Sequence, residues 1–249
     1  MSRRTIERAA GIRRAGRSWD NGASGTFRNR NLRIAMTPTF DLDRTARELY
    51  DAEGRRFDAL TRTWTFVRSA EKSDACEKVD LLAAAAWVQK ESEHPLRVPV
   101  GVIGPREATR DQMIAAMRIG ELLADCGFVM LCGGLHGVMQ SVCEGVKRVG
   151  GMSIALLPED DGVHANSFVD VVLATGLGEA RNVLISRASF ALIAIGNSFG
   201  TLSEVALGRQ FGKLVVGIEG AADVDGVRHV QNARQAVEAI AARLLGVEA

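Results

Sequence analysis

The sequence predicts an α/β fold, a doubly wound parallel sheet with helices on both faces, preceded by a mainly helical N-terminal extension. Two observations indicate the sheet. From Val98 onward, short apolar segments alternate with longer segments that have a helical period. The apolar segments are hydrophobic at nearly every position, as strands are when both faces of a parallel sheet are covered. We therefore expect a Rossmann-like domain over residues 96–249.

The composition limits the alternatives. The chain has 249 residues, of which 47% are hydrophobic, enough for one large domain with an extension. No apolar run reaches the roughly 18–20 residues that a membrane-spanning helix requires. The net charge is +1, but residues 1–33 contain nine arginines and only two acidic residues. The remainder is therefore mildly acidic, which argues against a large nucleic-acid-binding surface and against a nucleic-acid partner.

The N-terminal part divides into two segments. Residues 1–31 are basic and lack any period, and we expect a flexible basic arm; a transit peptide and a nucleic-acid-binding arm are the alternatives. Residues 32–95 are expected to be mainly helical, because Asp41 or Asp43 can cap a helix running towards Leu60 and residues 74–89 have one apolar face. Weaker patterns suggest short strands at 32–36 and 64–67.

The four cysteines and four histidines are scattered along the chain and show no zinc-ligand spacing. No metal site is therefore expected. The cysteines are typical of buried thiols in a reducing compartment, and we expect a cytoplasmic protein.

In the domain itself, the patterns predict strands and helices in alternation. Helix boundaries are marked by a capping box at Thr109 and Gln112 and by a stop at Gly127. The predicted strands are 98–103, 128–131, 152–157, 169–174, 190–195 and 214–218, and the predicted helices are 109–127, 137–149, 181–188, 202–211 and 230–245.

Two loops at the ends of predicted strands contain small residues. One has the pattern G-G-x-x-G at Gly133, Gly134 and Gly137, and the other runs from Gly196 to Thr201. Such loops allow backbone N–H groups to approach an anion, and the helix that follows adds its positive end. The alternatives are tight turns with close helix–strand packing and, for Thr201 and Glu204, a capping box. Neither loop has a P-loop pattern, and the first strand ends without the dinucleotide fingerprint.

Three segments together carry a resemblance that covers roughly residues 98–220. They are CGGLHGVM at 132–139, the pair Arg181-Asn182, and GNSFGTLSE at 196–204. This part of the chain resembles the Lonely Guy, or lysine-decarboxylase-like, SLOG superfamily, including the separation of 23 residues between Arg181 and Glu204. Because asparagine follows the arginine, the sequence is most similar to the branch that contains molybdenum-cofactor carrier proteins.

The resemblance implies two functions. One is hydrolysis of the N-glycosidic bond of a nucleoside 5′-monophosphate, with Arg181 and Glu204 as catalytic residues. The other is a non-catalytic carrier or sensor that holds molybdenum cofactor or another phosphorylated ligand. Neither requires a cofactor, and both imply a homodimer or homotetramer. The implied ligand-binding residues are Gly104, Gly133, Gly134, Gly137, Met139, Asn182, Gly196, Asn197, Ser198, Gly200 and Thr201.

Several positions depart from the family pattern. Asn182 replaces a lysine, Ala180 replaces an acid, and Asn197 and Ser198 replace glycines. The first two changes remove charged groups beside Arg181, whereas the other two leave side chains that can hydrogen-bond an anion. The sequence therefore favours binding of a phosphorylated ligand over its cleavage. A third function, as an oligomeric scaffold acting through the basic arm and helices, has less support.

Overall fold

The computed structural model describes residues 38–67, 75–95 and 97–247, so the predicted basic arm and the weak strand at 32–36 lie outside the described residues. The described part begins with a five-stranded antiparallel sheet in the order β4-β3-β2-β1-β5. Its strands are β1 (Thr39–Asp43), β2 (Glu48–Tyr50), β3 (Arg55–Asp58), β4 (Thr63–Phe66) and β5 (Glu77–Asp80). The helix α1 (Leu81–Lys90) follows, and its N-terminus is capped by Asp80.

This sheet corrects the expectation that residues 32–95 are mainly helical. The Asp43 carboxylate, expected to cap a helix, instead accepts the N–H groups of Thr45 and Ala46 at 2.9 and 2.8 Å and closes the turn between β1 and β2. Asp58 closes the turn before β4 in the same way. Phe57 packs against Trp64 on the neighbouring strand, with 4.9 Å between ring centroids. Cross-strand packing thus outweighs the helical spacing of the apolar residues.

The second sheet confirms the predicted Rossmann-like fold. It has seven parallel strands in the order β12-β11-β10-β6-β7-β8-β9. The strands are β6 (Pro99–Ile103), β7 (Val129–Cys132), β8 (Met152–Leu157), β9 (Val171–Ala174), β10 (Ala191–Ile195), β11 (Leu214–Ile218) and β12 (Arg228–His229). The helices are α2 (Arg110–Asp125), α3 (Val138–Arg148), α4 (Asn182–Ala188), α5 (Phe199–Gln210) and α6 (Ala233–Leu245).

Successive side chains of the central strands enter two different apolar cores. Val100 and Val102 of β6 pack in the core that includes α2, α3 and α6, whereas Ile103 packs in the core that includes α4 and α5. The sheet is thus covered on both faces, which explains why its strands are continuously apolar. The antiparallel sheet is attached to the same body, because the Trp64 indole N–H donates to the Leu245 carbonyl of α6 at 2.6 Å.

The strand order determines where a ligand can enter. From β6 the chain proceeds outward to β9 and then returns to place β10 on the other side of β6. The connections after β6 and β10 therefore leave in opposite directions, and a crevice opens between them at the carboxyl ends of the two strands. No helix in the described ranges is long and apolar enough to cross a membrane.

Candidate functional site

A cavity of about 880 Å³ lies in this crevice. It receives residues from the ends of β6 and β10, from the loop after β7, and from α4 and α5. Its lining includes these predicted site residues: Gly104, Gly133, Met139, Arg181, Asn182, Ser198, Gly200, Thr201 and Glu204. The other predicted residues, Gly134, Gly137, Gly196 and Asn197, are not part of the lining.

The loop after β10 is shaped by Gly196 and Ser198. Gly196 has a φ of +64°, and a Cβ atom there would lie 2.4 Å from the Gln112 side chain, so only glycine fits without strain. Ser198 is the N-cap of α5: its Oγ accepts the N–H of Thr201 at 3.1 Å. The helix therefore begins at Phe199, three residues before the predicted start.

This earlier start decides the environment of the residues that follow. Thr201 lies within the first turn of α5 and is not its cap, so the predicted alternative of a capping box with Glu204 is wrong. Glu204 occupies a position on the buried side of the helix and has only 6% of its surface exposed. Its side chain faces the cavity and Arg181, not the helix terminus.

Arg181 and Glu204 form the charged centre of the cavity. Arg181 is at the end of a short 3-10 turn, Gly178–Arg181, that leads into α4. Its Nη1 lies 3.7 Å from Oε1 of Glu204, and both side chains are almost completely buried. Burial raises the pKa of Glu204 to about 8, because exclusion of water outweighs the attraction of the Arg181 charge. At neutral pH the carboxyl group keeps its proton, and the buried centre has a net positive charge.

The Arg181 guanidinium is held by its neighbours but is not fully satisfied. Nη1 donates a hydrogen bond to Oδ1 of Asn182, whereas the buried Nε has no partner among the described residues. Gly133 leaves the space that the guanidinium occupies, because a Cβ atom there would lie 2.6 Å from Nη2. A buried donor without a partner is costly in a folded protein, and Nε lies where solvent does not reach it.

A chain of hydrogen bonds continues from Asn182 to the first residues of α5. The Asn182 amide donates to Oγ of Ser203 at 2.9 Å, and that hydroxyl donates to the Gly200 carbonyl at 2.6 Å. Asn182 therefore connects Arg181 to α5. Ser203 was not among the site residues predicted from the sequence, although it lies between Thr201 and Glu204 in the same motif.

The glycine loop after β7 contributes shape more than contacts. Gly137 has a φ of +65°, and a Cβ atom there would lie 2.3 Å from the Arg106 carbonyl oxygen, so this residue allows α3 to begin close to the loop after β6. Gly134 packs against Ala155, and its carbonyl accepts a hydrogen bond from the buried Asn166 amide at 3.0 Å. The packing alternative therefore accounts for Gly134 and Gly137, whereas Gly133 faces the cavity.

Further residues line the cavity without having been predicted. Phe199 and Val183 are apolar and exposed, and Arg106 and Glu179 form an ion pair of 3.3 Å between exposed side chains. No periodicity in the sequence distinguishes them from ordinary surface residues. Within the described ranges, no three histidine, cysteine, aspartate or glutamate side chains are arranged to hold a metal ion.

The fold and the cavity are those of a Rossmann-like ligand-binding domain, and comparison with known proteins gives its family. The model of the SLOG cluster4 family matches residues 97–244, and the chain belongs to this family. A protein of Archaeoglobus fulgidus described as uncharacterized is 39% identical over 138 residues, which are 55% of this chain and 91% of that protein.

Two solved structures share the fold of the matched region. One is the molybdenum cofactor binding protein of the phototrophic bacterium Rippkaea orientalis, with a TM-score of 0.55 and 32% identity over 58% of this chain and 95% of that chain. The other is the molybdenum cofactor carrier protein of Chlamydomonas reinhardtii, with a TM-score of 0.55 and 29% identity over 60% of this chain and 99% of that chain. The antiparallel sheet of residues 39–80 precedes the region that the family model matches.

Proposed function

We propose that this protein binds a small phosphorylated ligand in the cavity between β6 and β10 and holds it without cleaving it, as a carrier or sensor. Molybdenum cofactor, a phosphorylated pterin, is the first candidate for the bound cargo, and the similarity to proteins that bind and carry this cofactor supports it. The proposal needs no further cofactor. The observation that carries it is the buried Arg181 guanidinium in the wall of a cavity that also receives the N-terminus of α5.

Around Arg181, the buried charge and the helix dipole favour an anion, whereas the exposed part of the lining has one basic and two acidic side chains, Arg106, Glu107 and Glu179. Arg181 is a buried cation, and Glu204 does not neutralise it at neutral pH because its pKa is raised to about 8. The positive end of α5 meets the cavity at Ser198 and Thr201. A phosphate group placed there would accept charge-assisted hydrogen bonds from the arginine, which are about twice as strong as neutral ones.

The second candidate function is N-glycosidic hydrolysis of a nucleoside 5′-monophosphate. The position of Glu204 beside Arg181 on the cavity wall favours it. In this reaction a carboxylate would stabilise the positive charge that develops on the sugar ring and orient the attacking water. A protonated Glu204 does not supply that charge at neutral pH, and Asn182 does not supply the amine of the family lysine. Binding without cleavage is therefore the function that we favour.

Replacing Arg181 tests the proposal. The ligands are molybdenum cofactor and the nucleoside 5′-monophosphates, and the one that the wild type binds most tightly is used. We expect Arg181→Gln to weaken its binding by about tenfold or more, because the charge-assisted hydrogen bonds are lost. Arg181→Lys should have an intermediate effect, since it keeps the charge without the planar fork. Isothermal titration calorimetry measures the affinities, and chromatography of the same mixtures detects released base.

The matched control is Arg97→Gln, which removes an exposed arginine outside the cavity and should leave affinity unchanged. Equal binding by the wild type and Arg181→Gln would overturn the proposed site. Release of free base by the wild type, lost in Arg181→Gln, would replace the carrier by the hydrolase.

We also propose that the protein is a homo-oligomer, a homodimer or a homotetramer. Large apolar side chains are exposed on the edge strand β9 and on the outer surfaces of α4 and α5, at Val171, Val172, Leu173, Leu184 and Leu202. Exposed edge strands and apolar helix surfaces commonly mark sites of association, and cyclic assembly of identical copies is the commonest solution.

A further inference from the structure

Phe199 is an exposed aromatic residue at the start of α5, beside the proposed phosphate site. It is the first residue of α5, follows the cap Ser198 and precedes Gly200. Its side chain is 95% exposed, yet it forms part of the cavity lining. Because nearly all of the side chain is exposed, its apolar surface is available to a ligand. Burial of that surface by the ligand would be strongly favourable.

The lining of the cavity contains two chemically different sets of side chains. Arg181, Ser198 and Thr201 are polar and suit a phosphate group. Phe199, Val183 and Leu207 are apolar and have no hydrogen bond to offer through their side chains. The volume of about 880 Å³ is in the range of sites for complete small molecules and is larger than a phosphate and one sugar ring require.

We propose that Phe199 determines the specificity of this site by stacking its ring on a planar heterocycle of the ligand, while the phosphate of the same ligand is held on the Arg181 side. This inference rests on the proposed function and specifies its substrate class: phosphorylated compounds that carry a flat aromatic ring, such as purine nucleotides and pterins. Sugar phosphates lack the ring and would use only the polar side.

The physical basis is the face of the phenyl ring. Aromatic rings attract one another in offset stacked arrangements beyond the area that they bury. Stacking between an aromatic side chain and a base accepts every flat heterocycle, because it uses the ring faces and not the hydrogen-bonding edges. Phe199 would therefore select for the presence of a ring and discriminate weakly between one ring and another.

The test compares ligands with and without a ring on two variants. The probes are GMP and molybdenum cofactor, which carry a ring, and ribose 5-phosphate and inorganic phosphate, which do not. We expect Phe199→Ala to weaken binding of the ring-bearing probes by about ten- to a hundredfold and to leave the dissociation constant of ribose 5-phosphate unchanged. Phe199→Tyr, which keeps an aromatic ring, should bind the ring-bearing probes as the wild type does.

The matched control is Phe66→Ala, because Phe66 is 84% exposed on β4 and does not line the cavity. Neither alanine variant should change the thermal unfolding temperature, since both side chains are exposed. The inference is wrong if Phe199→Ala binds GMP and molybdenum cofactor as the wild type does, if it weakens ribose 5-phosphate equally, or if it only dissociates an oligomer.

Failure of the proposed function gives a different result. If the wild type binds none of the four probes, the phosphate site itself is refuted, and this inference with it. If the wild type binds ribose 5-phosphate as tightly as GMP and molybdenum cofactor, the phosphate site stands and the role of Phe199 is refuted.

Discussion

Glu204 shows how burial can reverse the expected state of a side chain. Its carboxyl group lies 3.7 Å from the Arg181 guanidinium, a distance at which a solvent-exposed pair would both be charged. Because almost no water reaches the pair, the pKa of Glu204 is raised to about 8 and the acid stays neutral at pH 7. The motif in the sequence identifies the glutamate but not its protonation state.

The raised pKa predicts a pH-dependent stability. Glu204 titrates near 4.5 in the unfolded chain and near 8 in the folded protein, so the folded state binds more protons between these values. Its contribution to the free energy of unfolding is therefore complete below about pH 4.5 and is lost as the pH rises through about 8. We expect Glu204→Gln, which cannot ionise, to become progressively more stable than the wild type from pH 5 to pH 8.5.

Urea unfolding at several pH values in this range measures the difference. A constant difference for Glu204→Gln would show that this carboxyl group titrates normally.

The helix α5 brings both its N-terminus and a buried acid to the cavity. Ser198 fixes the first residue of the helix, and this register places Thr201 in the first turn and Glu204 on the buried side. With a start at 202, as the sequence suggests, Thr201 would be the helix cap. One capping hydrogen bond thus determines which side chains reach the cavity.

Removal of this cap should have two effects. We expect Ser198→Ala to lower the free energy of unfolding by about 1 kcal/mol, a typical cost of a lost N-cap, and also to weaken ligand binding because Ser198 lines the cavity. Asn232→Ala removes the equivalent cap of α6, where Oδ1 accepts the N–H of Gln235 at 2.9 Å, and provides the matched control.

The two variants should lose similar stability in urea unfolding, but only Ser198→Ala should bind the ligand more weakly. Equal affinity for both variants would mean that Ser198 has only a structural role.

The described residues belong to one compact unit that combines the parallel domain with the antiparallel sheet, joined by contacts such as that of Trp64 with α6. The edge strand β9 is exposed at all four of its residues, and α4 and α5 also have exposed apolar side chains. We infer that a second copy of the chain covers this surface of β9, α4 and α5.

A charge introduced on this surface should therefore disrupt assembly. Leu184 is 39% exposed on α4, and we expect Leu184→Glu to shift the protein from an oligomer to a monomer in sedimentation velocity, because a buried unpaired carboxylate opposes association. Ile114→Glu is the control, since Ile114 is 57% exposed on α2 and should leave the oligomer intact. A monomeric wild type would refute the proposed association.

The sequence alone determined the parallel domain, because the hydrophobic residues of its strands and helices follow local periods that can be recognised without knowledge of the tertiary contacts. The capping box at Thr109 and the stop at Gly127 were confirmed for the same reason. The sequence suggested the short strand at 64–67, which corresponds to β4, but not the rest of the antiparallel sheet. Its strands have three to five residues, and pairings such as Thr39 with Asp80 join distant parts of the chain. Short segments have ambiguous periods until their partners are known.

For the candidate site, too, some features were predicted from the sequence and others were decided by the tertiary structure. The glycine loops were identified by their residue types, and Arg181 and Glu204 by the resemblance of the sequence to a known family. The tertiary structure alone separated Gly133, which faces the cavity, from Gly134 and Gly137, which pack beneath it, and added Ser203 and Phe199. It also decided that Glu204 is neutral, because the exclusion of water that raises a pKa depends on side chains from several elements packed around one group.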